Sequence, residues 1–382
     1  MPAIRILQMI GGLNIGGSQK MLLNLYENID RDRVRFDFIL DHADYLHYAD
    51  TVQKLGGRIF FVPRFRGVNL PAVRRAWTDL FRMHPGYRVL HTHVRSYASV
   101  FLPIASKAGL ITIAHSHNTA NPGGLTAPLK ACLQYPIRYQ ADYRFACSDA
   151  AGKWLFGKKA CQGERFAVIP NAIFPKSYTY DVAVRERVRR SLGISDRFVI
   201  GNVGRLCAAK NQLFLPEVLA KVRHYRPDAV LLLAGEGELR QAILQKSAAL
   251  GLSDSVILTG ARDDIPELMQ AMDVFAFPSR FEGLPLTLIE AQASGLPCLI
   301  PDNVTDEITV TPLCRRIGAK ASPADWANAL LTMHAVPDRE IYAALVERTR
   351  FSVAQTARRM EDFYCALANT NDRNHLPPAP TF

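Results

Sequence analysis

Residues 278–297 read PSRFEGLPLTLIEAQASGLP, and the fold follows from how this stretch is laid out. Just upstream, 274–277 (VFAF) is a short apolar run that reads as a buried strand. Downstream of Pro285, the apolar run reads as the start of a buried helix. The order is therefore strand, tight glycine-containing loop, helix. In an open parallel α/β sheet such a loop lies beyond the strand's carboxyl end, in the crevice where ligands bind. Pro285 suits the first helical position, where its missing N–H is not needed. The backbone N–H groups of Leu284, Leu286 and Thr287 then point into the crevice, and a helix N-terminus attracts anions. Gly283 lets a ligand come close to the backbone. Glu282 and Glu290, with seven residues between them, bring two carboxylates to the same place. Carboxylates beside an anion site make chemical sense when the ligand also carries sugar or ribose hydroxyls, which they hold by charge-assisted hydrogen bonds.

Working outward, strands are expected over 198–203, 229–234, 255–258 and 298–300 in the same half, with helices between. The first half repeats the theme. Strands are expected over 4–10, 35–40, 58–62, 88–93 and 110–115, a helix over 18–28, and an amphipathic helix over 70–84 with Val73, Trp77, Leu80 and Phe81 on one face. This is the doubly wound α/β pattern, twice. The linking stretch near 172–197 is polar, basic and poor in strands. The expected domains are 1–178, 179–352 and a terminal helix over 353–368, followed by a Pro-rich tail, 369–382, read as disordered.

With 382 residues, 48% hydrophobic and 21% charged, the chain has the size and composition of a two-domain globular protein. No run of about 18 apolar residues is present, and MPAIRILQMI reads as a buried strand rather than a signal peptide. Seven cysteines without a C-x-x-C pair point to reduced thiols and a cytoplasmic setting, and to no zinc site. His91 and His93, like His115 and His117, alternate along strands and so share a face, but without a third ligand type nearby no metal is expected. The net charge of +11 lies wholly in the first half: residues 1–180 carry +12 and residues 181–382 carry −1. Between Arg58 and Arg95 eight arginines face a single acid, Asp79. Such a patch suits phosphates of a substrate, of anionic lipid or of nucleic acid. It has few interleaved aromatics and no recognition motif, which argues against nucleic acid.

Two further constellations follow strands. Gly204-Arg205 and Lys210-Asn211 lie in GRLCAAKN after 198–203. Arg offers a planar fork and Lys a point charge, both suited to a diphosphate. Gly11–Gly17 (GGLNIGG) follows the first strand as a tight loop, but it is not G-x-G-x-x-G.

The 278–297 block closely resembles the E-x7-E signature of retaining family-4 glycosyltransferases of the GT-B fold, and GRLCAAKN resembles that family's G-R-x4-K motif. The resemblance extends to the first glycine loop, HSHN at 115–118, ACSDAAGKWLFG at 146–157 and VIPNA at 168–172. It implies two Rossmann-like domains facing each other across a cleft, with a terminal helix crossing back to the first. It implies that Glu282 binds the donor sugar, Glu290 the nucleotide ribose, and Arg205 and Lys210 the donor phosphates, so that no metal or other cofactor is needed. Gly16 and Gly17 would border the phosphate, while Ser18-Gln19-Lys20 replaces the family's usual Glu and Arg. His117 matches the family's histidine near the donor sugar. Phe174 stands where the family has Asp, so no role transfers there.

The function implied is transfer of a hexose, with retention, from a nucleotide diphosphate sugar, with a UDP-sugar expected, to a growing, lipid-linked or oligosaccharide acceptor in capsule or exopolysaccharide synthesis. The family's retaining step is usually drawn as front-face attack, which fits a sequence in which no second carboxylate suits a double displacement. The partners expected are the nucleotide sugar, the glycan acceptor and an anionic membrane surface, with no nucleic acid. The expected location is the cytoplasm, peripheral at the inner face of the plasma membrane. A GT-B nucleotide-sugar epimerase, a basic nucleic-acid-binding protein and an inactive partner subunit are the alternatives. The two paired motifs argue against the first and last.

Overall fold

A computed structural model describes residues 3–14, 17–42, 46–95, 97–117, 127–280, 282, 284–370 and 372–382. The chain divides into two units: residues 1–172 with 353–382, and residues 173–352. The first holds a seven-stranded parallel sheet of β1 (Ile4–Gly11), β2 (Val34–Leu40), β3 (Ile59–Phe61), β4 (Val89–Thr92), β5 (Ile111–Ser116), β6 (Tyr143–Ala146) and β7 (Phe166–Val168). Its spatial order is β3-β2-β1-β4-β5-β6-β7. The second holds a six-stranded parallel sheet of β8 (Phe198–Val203), β9 (Ala229–Ala234), β10 (Val256–Gly260), β11 (Val274–Ala276), β12 (Cys298–Pro301) and β13 (Cys314–Ile317), ordered β10-β9-β8-β11-β12-β13. In each sheet the order reverses beside the first strand, between β1 and β4 and between β8 and β11. Loops at those two points open a crevice.

Both faces of each sheet are covered, so the central strands are apolar throughout. Along β9, Val230, Leu232 and Ala234 join one buried layer, while Ala229, Leu231 and Leu233 join the other. Along β1, Ile6 and Ile10 pack on one side, Leu7 and Met9 on the other. The helix Leu70–Met83 buries Val73, Trp77, Leu80 and Phe81, the face its periodicity predicts, and Trp77 stacks on Phe101 with ring centroids 4.3 Å apart.

Strands β6, β7 and β13 were not anticipated from the sequence. β6 and β7 are only four and three residues long, and β13 (CRRI) carries two arginines. As the edge strand of its sheet, β13 gains from that charge, which discourages pairing with another chain. The domain boundary also differs from the expected 178. Ile173 and Tyr178 pack into the second unit's core, and Ile173 pairs with the returning chain at Phe351 and Ser352.

The terminal helix, Val353–Asn369, packs on the first unit with Ala357, Met360, Phe363, Tyr364 and Leu367 buried. Glu361 accepts the Asp30 N–H and pairs with Arg33. Residues 372–382 are ordered against the first unit, contrary to their Pro-rich composition. Arg373 pairs with Asp142 at 2.7 Å and donates to the Leu110 carbonyl, and the Tyr143 hydroxyl donates to the Pro377 carbonyl at 2.5 Å. The Ala379 N–H donates to the Glu164 carbonyl, and Leu376, Ala379 and Phe382 lie against the first unit's core. Apolar contacts and side-chain bonds to its fixed neighbours order a segment whose composition alone predicts none.

Deleting residues 370–382 should therefore destabilise the first unit by about 2–3 kcal/mol, lowering its Tm by roughly 5–10 °C in calorimetry. An unchanged transition would mean that these contacts contribute nothing.

Candidate active site

In the second unit the switch point gathers the residues singled out from the sequence. Gly204 and Arg205 follow β8 directly, and Lys210 lies in the turn before the helix Leu215–Arg223. Glu282 lies in the loop after β11. Its Oε1 is 2.6 Å from Lys210 Nζ, and both side chains are largely shielded from solvent. Lys210 also lies over the Phe277 ring, 5.4 Å from its centroid. This ion pair joins the two loops across the order reversal. The Asn211 side chain donates to the Pro278 carbonyl, and the Arg280 N–H donates to the Ala209 carbonyl, so the loops are also tied through their backbones. Asn303 reaches in from beyond β12 and donates to the Arg280 carbonyl. Asn211 adopts a left-handed backbone (φ 57°), a conformation that asparagine tolerates better than most residues.

The helix Leu286–Ala293 starts one residue later than predicted. Pro285 takes the capping position with an extended ψ, and Leu286 is the first helical residue. The Leu288 N–H donates to the Pro285 carbonyl. The amides of Leu286 and Thr287 thus open a helix whose first turn has no acidic residue and no side-chain cap, which leaves its partial positive charge to a ligand. Leu284 and Leu286 anchor the segment by packing on the core. Gly283 lies outside the described residues.

Glu290 sits deeper along this helix. Burial raises its carboxyl above the usual range, and a hydrogen bond from the Tyr178 hydroxyl opposes that rise. Tyr178, which no local sequence pattern singles out, thereby holds Glu290 in place. Arg205 is different. Its side chain is exposed and pairs with Glu238 at 3.3 Å, a contact of little energetic weight in water. The GEGE stretch at 235–238 was also overlooked. A Cβ at Gly235 would fall 2.1 Å from the Gly204 carbonyl oxygen, and one at Gly237 would fall 2.2 Å from that of Leu206. These two glycines let the loop after β9 lie directly on the loop that carries Arg205. Glycines after a strand were the available signal.

In the first unit Gly17 begins the helix Gly17–Asn28, and Gly16 lies outside the described residues. The loop after β1 closes on neighbouring side chains. Gln19 donates to Asn14 at 2.7 Å, and the Tyr97 hydroxyl donates to Asp41, which in turn bonds His42. On β4 and β5 and just after them stand four histidines, His91 and His93, His115 and His117, with stacked rings. Centroids are 4.5 Å apart for His91–His93 and 4.1 Å for His115–His117. Their pairing on shared faces follows the H-x-H alternation.

His91, His93 and His115 each place a ring nitrogen within 4.8 Å of the others. The His91 and His115 rings are stacked, with planes 10° apart and centroids 5.3 Å apart. His91 Nδ1 and both nitrogens of His93 are moreover engaged in hydrogen bonds. The arrangement is a neutral stack in which His91 Nε2 and both His115 nitrogens have no hydrogen-bond partner among the described residues.

Burial lowers all four pKa values, to about 3 for His91 and about 4 for His117, where the nearby Arg95 charge adds to the effect. The sign for stability follows. Below the ordinary value of 6.5, the unfolded chain takes up protons that the folded stack refuses, so acid disfavours the folded state.

Comparison with known proteins assigns the family. A model described as "Glycosyltransferase Family 4" matches residues 15–176, and one described as "Glycosyl transferases group 1" matches residues 197–335. EpsF of Bacillus subtilis (strain 168), named as a glycosyltransferase, is 30% identical over 97% of this chain and 98% of its own length. The Escherichia coli UDP-Gal:alpha-D-GlcNAc-diphosphoundecaprenol alpha-1,3-galactosyltransferase is 27% identical over 75% of this chain and 76% of its own. The crystal structure of Anabaena HepE in complex with UDP shares the fold, with a TM-score of 0.75 at 18% identity over 94% of this chain and 99% of that one. Both halves thus match, and one relative aligns along almost its entire length: the chain belongs to glycosyltransferase family 4 and has the GT-B fold.

Proposed function

We propose that this glycosyltransferase moves a hexose from a UDP-sugar to a lipid-linked glycan acceptor, with retention and without a metal ion, in the synthesis of a bacterial surface polysaccharide. The observation that carries the proposal is the Lys210–Glu282 pair at the β8/β11 switch point, with Glu290 on the helix that follows. In the ligand-free site each charge neutralises the other. A donor diphosphate offers Lys210 a stronger anionic partner, which frees the Glu282 carboxylate for a sugar hydroxyl. Glu290 then accepts from a ribose hydroxyl, and the opening amides of Leu286 and Thr287 lie along the phosphates. Arg205, on an exposed and weakly held side chain, swings from Glu238 to the diphosphate. His117 matches the histidine that in this family contacts the donor sugar, and is assigned that role in the proposal.

Transfer breaks the bond from the anomeric carbon to the phosphate oxygen and forms the bond to the acceptor oxygen on the same face. The departing phosphate takes the acceptor's proton. The barrier falls through positioning and through stabilisation of the phosphate's charge. UDP in the HepE structure supports the uridine nucleotide, and the E. coli relative's name supports both a UDP-sugar donor and a polyprenyl-diphosphate acceptor.

The basic surface of the first unit supports a place at the membrane. Arg74, Arg82 and Lys107 border a groove of about 660 Å³ floored by Phe81, Val100 and Ile104. Met83 at the end of that helix and Val68 just before it are exposed. Among the described residues no helix is long and apolar enough to cross a membrane. We read this surface as the face that rests on anionic lipid, each cation adding about 1 kcal/mol, screened by salt.

Replacing Glu290 by Ala should weaken UDP binding, whereas Glu282→Ala should mainly lower kcat. Each should cost roughly 1.5–3 kcal/mol, and wild-type kinetics in both variants would sink the assignment. Transfer should persist in excess EDTA, and Arg205→Ala should stay impaired when Mg2+ is added; loss of activity in chelator with recovery in Mn2+ would refute metal independence. Changing Arg74, Arg75 and Arg82 together to Gln should release the protein from phosphatidylglycerol vesicles in flotation while UDP affinity holds. A wild-type chain that ignores such vesicles at low salt removes the membrane from the proposal.

A further inference from the structure

Two of the seven cysteines stand opposite each other at the edge of the second sheet. Cys298 opens β12 and Cys314 opens β13, and the parallel register pairs the two directly. The Cys298 N–H donates to the Leu313 carbonyl at 2.9 Å, which holds that alignment. Paired residues of parallel strands send their side chains to the same face. Both cysteines accordingly meet the layer that contains Leu288 and Ile289: Cys298 lies within it and Cys314 packs against it. The other five cysteines lie outside the strands. The proposed transfer uses neither thiol.

The spacing suits a bridge. Neighbouring strands run about 4.8 Å apart, inside the range of Cα separations that a disulfide spans. Side chains that leave in parallel keep their Cβ atoms near that spacing, about 1 Å wider than the usual disulfide value. One strand must therefore lean toward the other. β13 is an edge strand with a neighbour on one side only, so it is the strand free to lean. A bridge closed at that cost is more easily reduced than a relaxed one. The two thiols differ in access. Cys298 is fully buried, its Sγ donates to the Leu296 carbonyl at 3.2 Å, and burial raises its pKa well above the ordinary value. Cys314 is only half-buried, so a dissolved oxidant reaches its sulfur first.

We propose that Cys298 and Cys314 form a reversible redox pair that takes hydrogen peroxide as its oxidant. Peroxide gives one oxygen to Cys314 Sγ, which becomes a sulfenic acid, and the remainder leaves as water. The Cys298 sulfur then attacks Cys314 Sγ. The S–S bond forms, the S–O bond breaks, and the departing hydroxyl takes the Cys298 proton and leaves as a second water. The two thiols lose two electrons, and the peroxide gains them. A small thiol such as glutathione reverses the step by exchange and is itself oxidised to its disulfide. The bridge ties the edge strand to β12. It also stops Cys314 short of the sulfinic acid, from which thiols cannot recover it.

The test treats the full chain with a small excess of hydrogen peroxide, blocks the remaining thiols and maps unreduced peptides by mass spectrometry. A Cys298–Cys314 crosslink should be the main intramolecular product, and reduced glutathione should reopen it. In Cys298→Ala the Cys314 sulfur should run on to sulfinic acid, several-fold more than in the wild type. Should Cys298→Ala fold poorly, Cys314→Ser at the sheet edge takes its place: Cys298 should then stay a thiol at peroxide levels that close the wild-type pair. Wild-type Cys314 that accumulates as sulfinic acid beside a reduced Cys298 overturns the pair. So does a Cys298 oxidised equally in Cys314→Ser, or oxidation of the exposed Cys132 while Cys298 and Cys314 both remain thiols. A crosslink that glutathione leaves intact overturns its reversibility.

Discussion

Each sheet changes direction of winding beside its first strand, and the chemistry of the molecule depends on that reversal. Parallel strands send all their carboxyl-end loops to one edge, but neighbouring loops normally crowd together. Where the crossovers part, on either side of β1/β4 and β8/β11, two loops lie beside each other with no helix between them. At β8/β11 the gap is spanned by the Lys210–Glu282 pair, the Asn211 side-chain bond and the Arg280 backbone bond. The largely shielded pair offsets the cost of holding a lysine and a carboxylate away from water, and on the proposed reading an incoming diphosphate would replace one partner of that balance. In the proposed function the pair would hold the two loops in place for the diphosphate beforehand.

The two units use the reversal for different chemistry. In the second unit it gathers charges on loops anchored to a rigid sheet. In the first it gathers four uncharged imidazoles, packed face to face and stripped of water. A charged ring in that stack would be costly. Charged and neutral sites built on the same topology illustrate how little the fold itself decides about the chemistry.

How much of this was legible in the sequence depended on distance along the chain. The E-x7-E block, GRLCAAKN and the amphipathic helix Leu70–Met83 are local patterns, and the structure places them as strand-end loops and a helix with the predicted buried face. The short strands β6, β7 and β13 escaped notice because three or four residues carry too little periodicity to register. Tyr178 beside Glu290 and the Gln8–Tyr364 bond join residues 112 and 356 positions apart, and no single-sequence pattern encodes such a partner. The tail misled for the opposite reason: its composition is that of a flexible segment, while its order comes from Asp142, Tyr143 and Glu164, which no local reading connects to it.

The return of residues 353–382 to the first unit has a consequence for biosynthesis. The second unit is one unbroken stretch, 173–352, and all of its contacts become available as it leaves the ribosome. The first unit lacks Phe363, Tyr364 and Leu367 until that whole stretch has been made. Its nascent form exposes the apolar layer over β1 and β2, together with an uncovered Gln8 and an unpaired Arg33, throughout translation of 180 further residues. The domain that begins first is therefore finished last, and its exposed interval is where chaperones would engage this chain.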